Sequence, residues 1–166
     1  MAKYNLFICF VLLIVLMGCN SNSSENKNEG SAEFGEFSYK FSMESVDNYK
    51  VEFQMNPDST YKIVQQNMFF DRFADRRNPS TREGKLTAEE FARFDKLIRE
   101  SNIYSMEDAY GFDDETESPI MYIIELNDGD SVKYVSINPE TPQNFSWEFS
   151  DLIEFTTKFM DSKLVD

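Results

Sequence analysis

The thiol of Cys19 is the side chain with the clearest chemical use in this sequence. The chain contains two cysteines, Cys9 and Cys19, and no histidine. Without imidazole, the side chain that most readily transfers protons or binds zinc near neutral pH is missing. Cys9 lies within an apolar run near the start of the chain, so no pair is left for a disulfide in the folded part. The chemistry of Cys19 therefore depends on the segment in front of it.

The segment before Cys19 has the features of an export signal. Lys3 gives a positive start, and the twelve residues from Leu6 to Met17 include no charged side chain. A transmembrane helix needs about 20 apolar residues, so this run is too short to span a membrane comfortably. The run ends in a sequence that resembles the lipobox of bacterial lipoproteins, namely Leu16, Met17, Gly18 and Cys19.

The lipobox resemblance implies that signal peptidase II cuts after Gly18 and that Cys19 carries a diacylglycerol thioether. Two or three acyl chains, at about 0.8 kcal/mol per buried CH2, would hold the protein on the extracytoplasmic side of a membrane of the cell envelope. The alternatives are a plain secretory signal peptide and an uncleaved anchor. We therefore expect a signal peptide at residues 1–18 and membrane lipid as a partner bound through Cys19.

A tether and one domain are expected after the cleavage site. Residues 20–33 are almost all Asn, Ser, Glu, Lys and Gly, a composition that cannot bury enough apolar surface to fold. Together with the lipidated Cys19, they form a predicted tether at 19–33, which holds the domain roughly 20 Å from the lipid. A single domain should follow at 34–166, because 41% apolar residues suffice for one packed core.

The charge of the chain restricts its partners. Lys and Arg total 16 against 30 Asp and Glu, which gives a net charge of -14. A field of this sign repels phosphate backbones and anionic lipid surfaces, so nucleic acid and a polybasic membrane contact are both disfavoured. Cations and basic proteins are the compatible partners.

Alternating apolar residues predict strands in the domain. Apolar side chains at 37, 39, 41 and 43 alternate with polar ones, and the pattern repeats from Tyr49 to Met55. A third run starts near Thr60, after a turn sequence that contains Pro57. Later, two β-rich runs at 119–126 and 131–137 flank an Asn-Asp-Gly-Asp turn and predict a hairpin.

Two helices complete the predicted fold. Thr87 and Glu90 form a capping box at the start of the first helix, which should end around Asn102. Thr141 followed by Pro142 marks the expected start of a terminal helix. The order of elements is β-β-β-α-β-β-α, which predicts an α+β fold with an antiparallel sheet of about five strands and both helices packed on one face.

This layout resembles small uncharacterised lipoproteins of Bacteroidota-type bacteria. The matching pieces are Leu86–Phe91, the loop Tyr110-Gly111-Phe112, and the hairpin Pro119–Ile137. The resemblance implies a fold and an envelope location, and it carries over no catalytic residues.

The segment from Phe70 to Lys85 concentrates positive charge in a chain that is predominantly acidic elsewhere. Guanidinium groups beside phenylalanines are the mixture found at interface hot spots, so we interpret the segment as an interaction loop for an envelope protein. Its candidate residues are Arg72, Arg76, Arg77 and Arg82. The alternative is local pairing with Asp71, Asp75 and Glu83, with Phe69 and Phe73 in the core.

The acidic segment at 107–117 is a second candidate site. Carboxylates in a loop suit Ca²⁺, which takes several oxygen ligands, although the spacing does not follow the EF-hand pattern. The secondary metal candidates are Asp113, Asp114 and Glu115. The alternative is a solvated acidic loop.

No enzyme signature is present, because the sequence has neither a G-x-S-x-G elbow nor a Gly-rich phosphate loop. We therefore predict a membrane-anchored envelope lipoprotein whose domain is a non-enzymatic binding or structural module without a cofactor. The alternatives are a calcium-binding or small-ligand-binding domain that uses the acidic loop 107–117 and, less favoured, a carboxylate-based enzyme.

Overall fold

The computed structural model describes residues 35–45, 49–67, 80–112 and 120–164. The strands are β1 (Ser38–Ser45), β2 (Tyr49–Met55), β3 (Thr60–Asn67), β4 (Ser80–Lys85), β5 (Ala109–Tyr110), β6 (Ile120–Asn127) and β7 (Val132–Ile137). Helix α1 (Ala88–Glu100) and a 3-10 turn (Ile103–Ser105) lie between β4 and β5, and helix α2 (Trp147–Leu164) follows β7.

All of these strands belong to one sheet, in the order β4-β3-β2-β1-β6-β7-β5. Neighbouring strands are antiparallel except β5 and β7, which are parallel. The fold is α+β, as the sequence predicts. The prediction of about five strands is close, but β4 and β5 are absent from it and the sheet is mixed rather than wholly antiparallel.

The two strands missing from the prediction lie at the edges of the sheet and carry little hydrophobic pattern. Strand β4 contains no large apolar residue and is held by its ladder with β3. There the ring of Tyr61 covers Gly84, with ring atoms 2.9 Å from where a β-carbon would lie, an arrangement known to compensate for glycine in sheets. Strand β5 has two residues and depends on parallel pairing with Ser136 and Ile137.

The strand ladders define two ends of the sheet. Both neighbours of β1 are antiparallel to it, so the start of β1 lies beside the end of β2 and the end of β6. We call this the proximal end, and it carries Ser38, Met55, Thr60, Lys85, Asn127 and Val132. The opposite or distal end carries Ser45, Tyr49, Asn67, Ser80, Ile120 and Ile137.

Both helices pack on the same face of the sheet, as predicted. The buried ring of Tyr39 in β1 lies 6.3 Å from the ring of Phe94 in α1 and hydrogen-bonds to Thr156 in α2. Helix α1 also begins as expected, because the Thr87 hydroxyl accepts the N–H of Glu90 at 3.1 Å while the Glu90 carboxylate accepts the N–H of Thr87 at 2.8 Å.

The predicted start of the terminal helix at Thr141 is wrong, since α2 begins at Trp147. The Thr141 hydroxyl donates to the carbonyl oxygen of Gly111 at 3.2 Å, and the fully buried Asn138 amide donates to the same oxygen at 3.0 Å. These bonds hold the residues after β7 against the loop at Gly111, outside a helical path. Ser146 caps the helix instead, since its hydroxyl accepts the N–H of Phe149.

The second face of the sheet is largely polar, with Ile123, Val132 and Tyr134 as apolar exceptions on β6 and β7. It carries ion pairs between directly opposed residues. Glu44 pairs with Lys50 at 2.8 Å, Lys62 with Glu83 at 2.8 Å, and Lys40 with Glu125 at 3.5 Å. Opposite charges facing each other across strands stabilise a register that like charges would oppose. These pairs involve five strands, namely β1, β2, β3, β4 and β6, and they explain why this part of the face can stay open to water.

The hydroxyl of Tyr39 is a buried polar group whose ionisation should oppose folding. The Thr156 hydroxyl already donates to Leu152 O at 2.7 Å, so Tyr39 is the donor in the 3.2 Å bond to Thr156. Burial raises the pKa of Tyr39 far above its usual value. The neutral form is therefore required in the folded state.

We predict that stability falls as the pH rises above about 10, the pKa of an unfolded tyrosine. Above this pH, Tyr39 ionises in the unfolded chain but stays neutral in the folded one. Its contribution to the free energy of unfolding is therefore complete below about pH 10 and is lost as the pH rises further. Tyr39→Phe should cost about 1 kcal/mol at pH 8 and give a shallower alkaline decline in urea unfolding. Tyr134→Phe, at a half-exposed ring, is the matched control. An unchanged alkaline slope in Tyr39→Phe would contradict this assignment.

Candidate functional site

The chain enters the domain at the proximal end, where Arg99 of α1 holds its first described residues. The Arg99 Nη2 donates to the carbonyl oxygen of Gly35 at 3.3 Å, and its guanidinium carbon lies 5.4 Å from the ring centroid of Phe37. Asp95 fixes the guanidinium through a 2.9 Å bond to Nε. The residues that follow the predicted tether are thus attached to a specific point on α1 beside β1.

The two described residues that border the candidate interaction loop lie at the opposite, distal end of the sheet. Asn67 ends β3 and Ser80 begins β4, both at the distal end. The chain between them carries Arg72, Arg76 and Arg77, which lie outside the described residues. The same holds for Leu16, Met17, Gly18 and Cys19, so cleavage and lipidation stay predictions.

Arg82 does not belong to a loop, as the sequence suggested, but to the edge strand β4. It stands opposite the buried Ile63 of β3 and therefore lies on the helix-covered side of the sheet. Its neighbour Glu83, a predicted partner for the local arginines, points to the open face and pairs with Lys62.

The acidic segment 107–117 is only partly described. Asp108 forms an ion pair with Lys133 at 2.5 Å, and its backbone oxygen accepts the N–H of Ser136. The N–H of Glu107 donates to the Tyr110 hydroxyl. Asp113, Asp114 and Glu115 lie outside the described residues, and within the described part of the chain no group of three or more metal-binding side chains occurs.

A hollow of about 250 Å³ opens at the side of the domain, between the end of α1, the 3-10 turn, β5 and the start of α2. We call it the lateral hollow. Its wall is aromatic, because Phe145 lies 5.0 Å from both Tyr110 and Phe149 in edge-to-face contacts. Its rim is polar and includes Asn102, Asn144, Ser105, Ser146 and Glu100.

Asn102 has the most constrained backbone on this rim. It follows the end of α1 with φ 52° and ψ 40°, in the left-handed region that only glycine and asparagine visit with ease. Its side-chain oxygen accepts the Ser105 hydroxyl at 3.1 Å. Sequence reasoning placed the helix end correctly but missed Asn102 as a functional candidate, although asparagine just after a helix is a known mark of this conformation.

Comparison with known proteins places the chain in no family. It matches no family model, and no curated protein is significantly similar to it. Neither α1 nor α2, the helices in the described part of the chain, is long and apolar enough to cross a membrane.

Proposed function

We propose that the protein is a lipoprotein of the bacterial cell envelope, anchored through Cys19, whose domain binds an envelope protein without catalysing a reaction. The observation that supports the proposal is which parts of the chain lie at the two opposite ends of the sheet. The predicted tether joins the domain at the proximal end, beside Gly35 and Arg99. The described residues that flank the arginine-bearing segment, Asn67 and Ser80, lie at the distal end.

This arrangement of the two ends supports recognition at a distance from the lipid. A tether of 15 residues spans roughly 20 Å, and the eight residues of β1 add about 25 Å at 3.3 Å per residue. A binding surface at the distal end can therefore stand up to roughly 45 Å from the membrane. That distance suits contact with another envelope protein better than contact with the bilayer itself.

The local positive charge of the arginine-bearing segment favours an acidic partner surface, whereas the net charge of the whole chain favours basic partners. Arg72, Arg76 and Arg77 are close together in the sequence of a protein with a net charge of -14. Guanidinium groups bind carboxylates in bidentate fashion, and Phe69 and Phe70 add apolar area of the kind found in interface hot spots. The rest of the domain, being acidic, repels the same partner and so restricts binding to this segment.

The described carboxylates support binding rather than catalysis. Acid–base catalysis by carboxylates generally needs two of them in a water-poor pocket, where burial shifts the pKa. In the described part of the chain the buried polar side chains are Ser42, Ser101, Asn138 and Thr156, and none is an acid. The acids of the open face are paired with lysines in part-exposed or exposed positions.

Crosslinking in the native cell envelope tests this proposal. We expect the wild-type protein to capture a discrete partner, and the Arg72→Ala, Arg76→Ala, Arg77→Ala triple variant to lose about tenfold or more of that product, because charge-assisted bonds would be removed. The matched control changes three exposed cations of the helices, namely Arg93, Lys96 and Lys158.

The control variant alters the net charge equally and should retain capture. Equal capture by wild type and both variants would exclude the arginine-bearing segment as the binding surface. Equal loss in both variants would show a general effect of charge and would likewise contradict the proposal.

A further inference from the structure

We infer that the lateral hollow binds a neutral sugar ring. This site lies at the side of the domain and does not depend on the proposed distal contact. The inference rests on three features of the hollow, which are uncommitted amide groups on its rim, an aromatic wall, and a lining without cations.

The amide groups on the rim are available to a ligand. The carboxamide oxygen of Asn102 accepts the Ser105 hydroxyl. Its NH2 group therefore remains as a hydrogen-bond donor for a ligand. Asn144 is exposed, and its side chain makes no hydrogen bond with another described residue. A carboxamide can donate to one hydroxyl and accept from its neighbour, which matches adjacent hydroxyls on a sugar ring.

The aromatic wall supplies the second part of the match. The part-exposed rings of Tyr110 and Phe145 form this wall in edge-to-face contact. The Phe149 ring is buried against Phe145, and Met106 also lines the hollow. A pyranose has an apolar face of C–H groups and a rim of hydroxyls, so it can meet an aromatic wall and polar groups together. A uniformly polar or uniformly apolar ligand would leave one of these surfaces unmatched.

Charge and size narrow the ligand class. Among the described residues that line the hollow, Glu100 is the one charged side chain. Its carboxylate can accept hydroxyl protons but repels phosphates, carboxylates and acidic sugars. The hollow of about 250 Å³ has room for about eight waters at ~30 Å³ each, which is enough for one ring with its substituents. It lies below the usual range for drug-sized ligands.

Titration of the full mature protein with methyl glycosides of glucose, galactose and N-acetylglucosamine tests the inference. The detergent must have no sugar headgroup, and lauryldimethylamine oxide meets this need. Trp147, the only tryptophan of the chain, directly follows the rim residue Ser146 and is 66% exposed, so its fluorescence is a probe next to the hollow. We expect a saturable change with at least one glycoside, with a Kd in the millimolar range for so small a ligand.

Asn102→Gly is the decisive variant. Glycine accepts the left-handed backbone, so the fold should be kept while the amide is lost, and we expect the sugar affinity to fall at least fivefold without a lower melting temperature. Gln66→Ala removes a carboxamide from the open face of the sheet instead and should bind like wild type.

Three results would overturn the inference. The first is no saturable response to any of the three glycosides, and the second is wild-type affinity in Asn102→Gly. The third is an equal response to trialanine amide, which would identify the hollow as a peptide site. None of these depends on whether the arginine-bearing segment binds an envelope protein.

Discussion

Replacing Phe94 with alanine is expected to lower the free energy of unfolding by about 3–5 kcal/mol. Phe94 is fully buried, and its ring joins the three parts of the core. It lies 5.3 Å from Phe53 of the sheet, and 4.6 Å and 5.7 Å from Phe155 and Phe159 of α2. Truncation removes the apolar transfer energy and leaves a cavity whose wall is made of rigid rings from different elements, which cannot all move inward.

The loss is large compared with the net stability of a single domain, about 5–15 kcal/mol. Urea unfolding followed by circular dichroism measures it as a lower midpoint at unchanged slope. Phe112→Ala is the matched control, because it makes the same chemical change at a ring that is 42% exposed, and it should cost less than about 1 kcal/mol. Similar losses in both variants would show that α1 does not form the centre of the core.

The features predicted correctly from the sequence are those that arise from neighbouring residues. The capping box needs only Thr87 and Glu90, three residues apart, and both of its hydrogen bonds are present. The hairpin between β6 and β7 needs an Asp-Gly turn, and Gly129 indeed takes φ 91° there. Asp128 closes the turn by accepting N–H groups of Ser131 and Asp130, and these bonds lower the pKa of its carboxyl.

The features that the sequence did not reveal depend on distant residues. Strand β4 has no apolar alternation to detect, because its inward position 84 is a glycine covered by Tyr61 from the next strand. The late start of α2 is due to Asn138 and Thr141, which bind the Gly111 carbonyl about 30 residues earlier in the chain. A helix-start pattern in the sequence contains no information on such a competing partner.

The candidate sites also differ in whether a local sequence pattern or only the tertiary structure reveals them. The predicted lipobox is a local pattern, and it is inferred from four adjacent residues without a structure. The lateral hollow combines residues of 100–110 with residues of 144–149, and only the packing of α2 against the 3-10 turn and β5 brings them together. The position of Arg82 is also a tertiary result, since the pairing of β4 with β3 turns it toward the helices.

Replacing Cys19 with alanine is expected to abolish incorporation of a labelled fatty acid completely. The thiol is the only group at the predicted cleavage site that can form the thioether, so no partial activity should remain. Because the lipobox that this segment resembles has an obligatory cysteine, the variant should also keep residues 1–18. Cys9→Ala is the matched control, since it removes the other thiol of the chain and should leave labelling and cleavage as in wild type.

The mass of the first peptide of the mature protein is the most direct test of lipid anchoring, on which the proposed orientation of the domain depends. We predict a first residue at Cys19 that carries a diacylglycerol group. An unmodified thiol at Cys19, or a mature chain that begins at any other residue, would contradict the anchored arrangement.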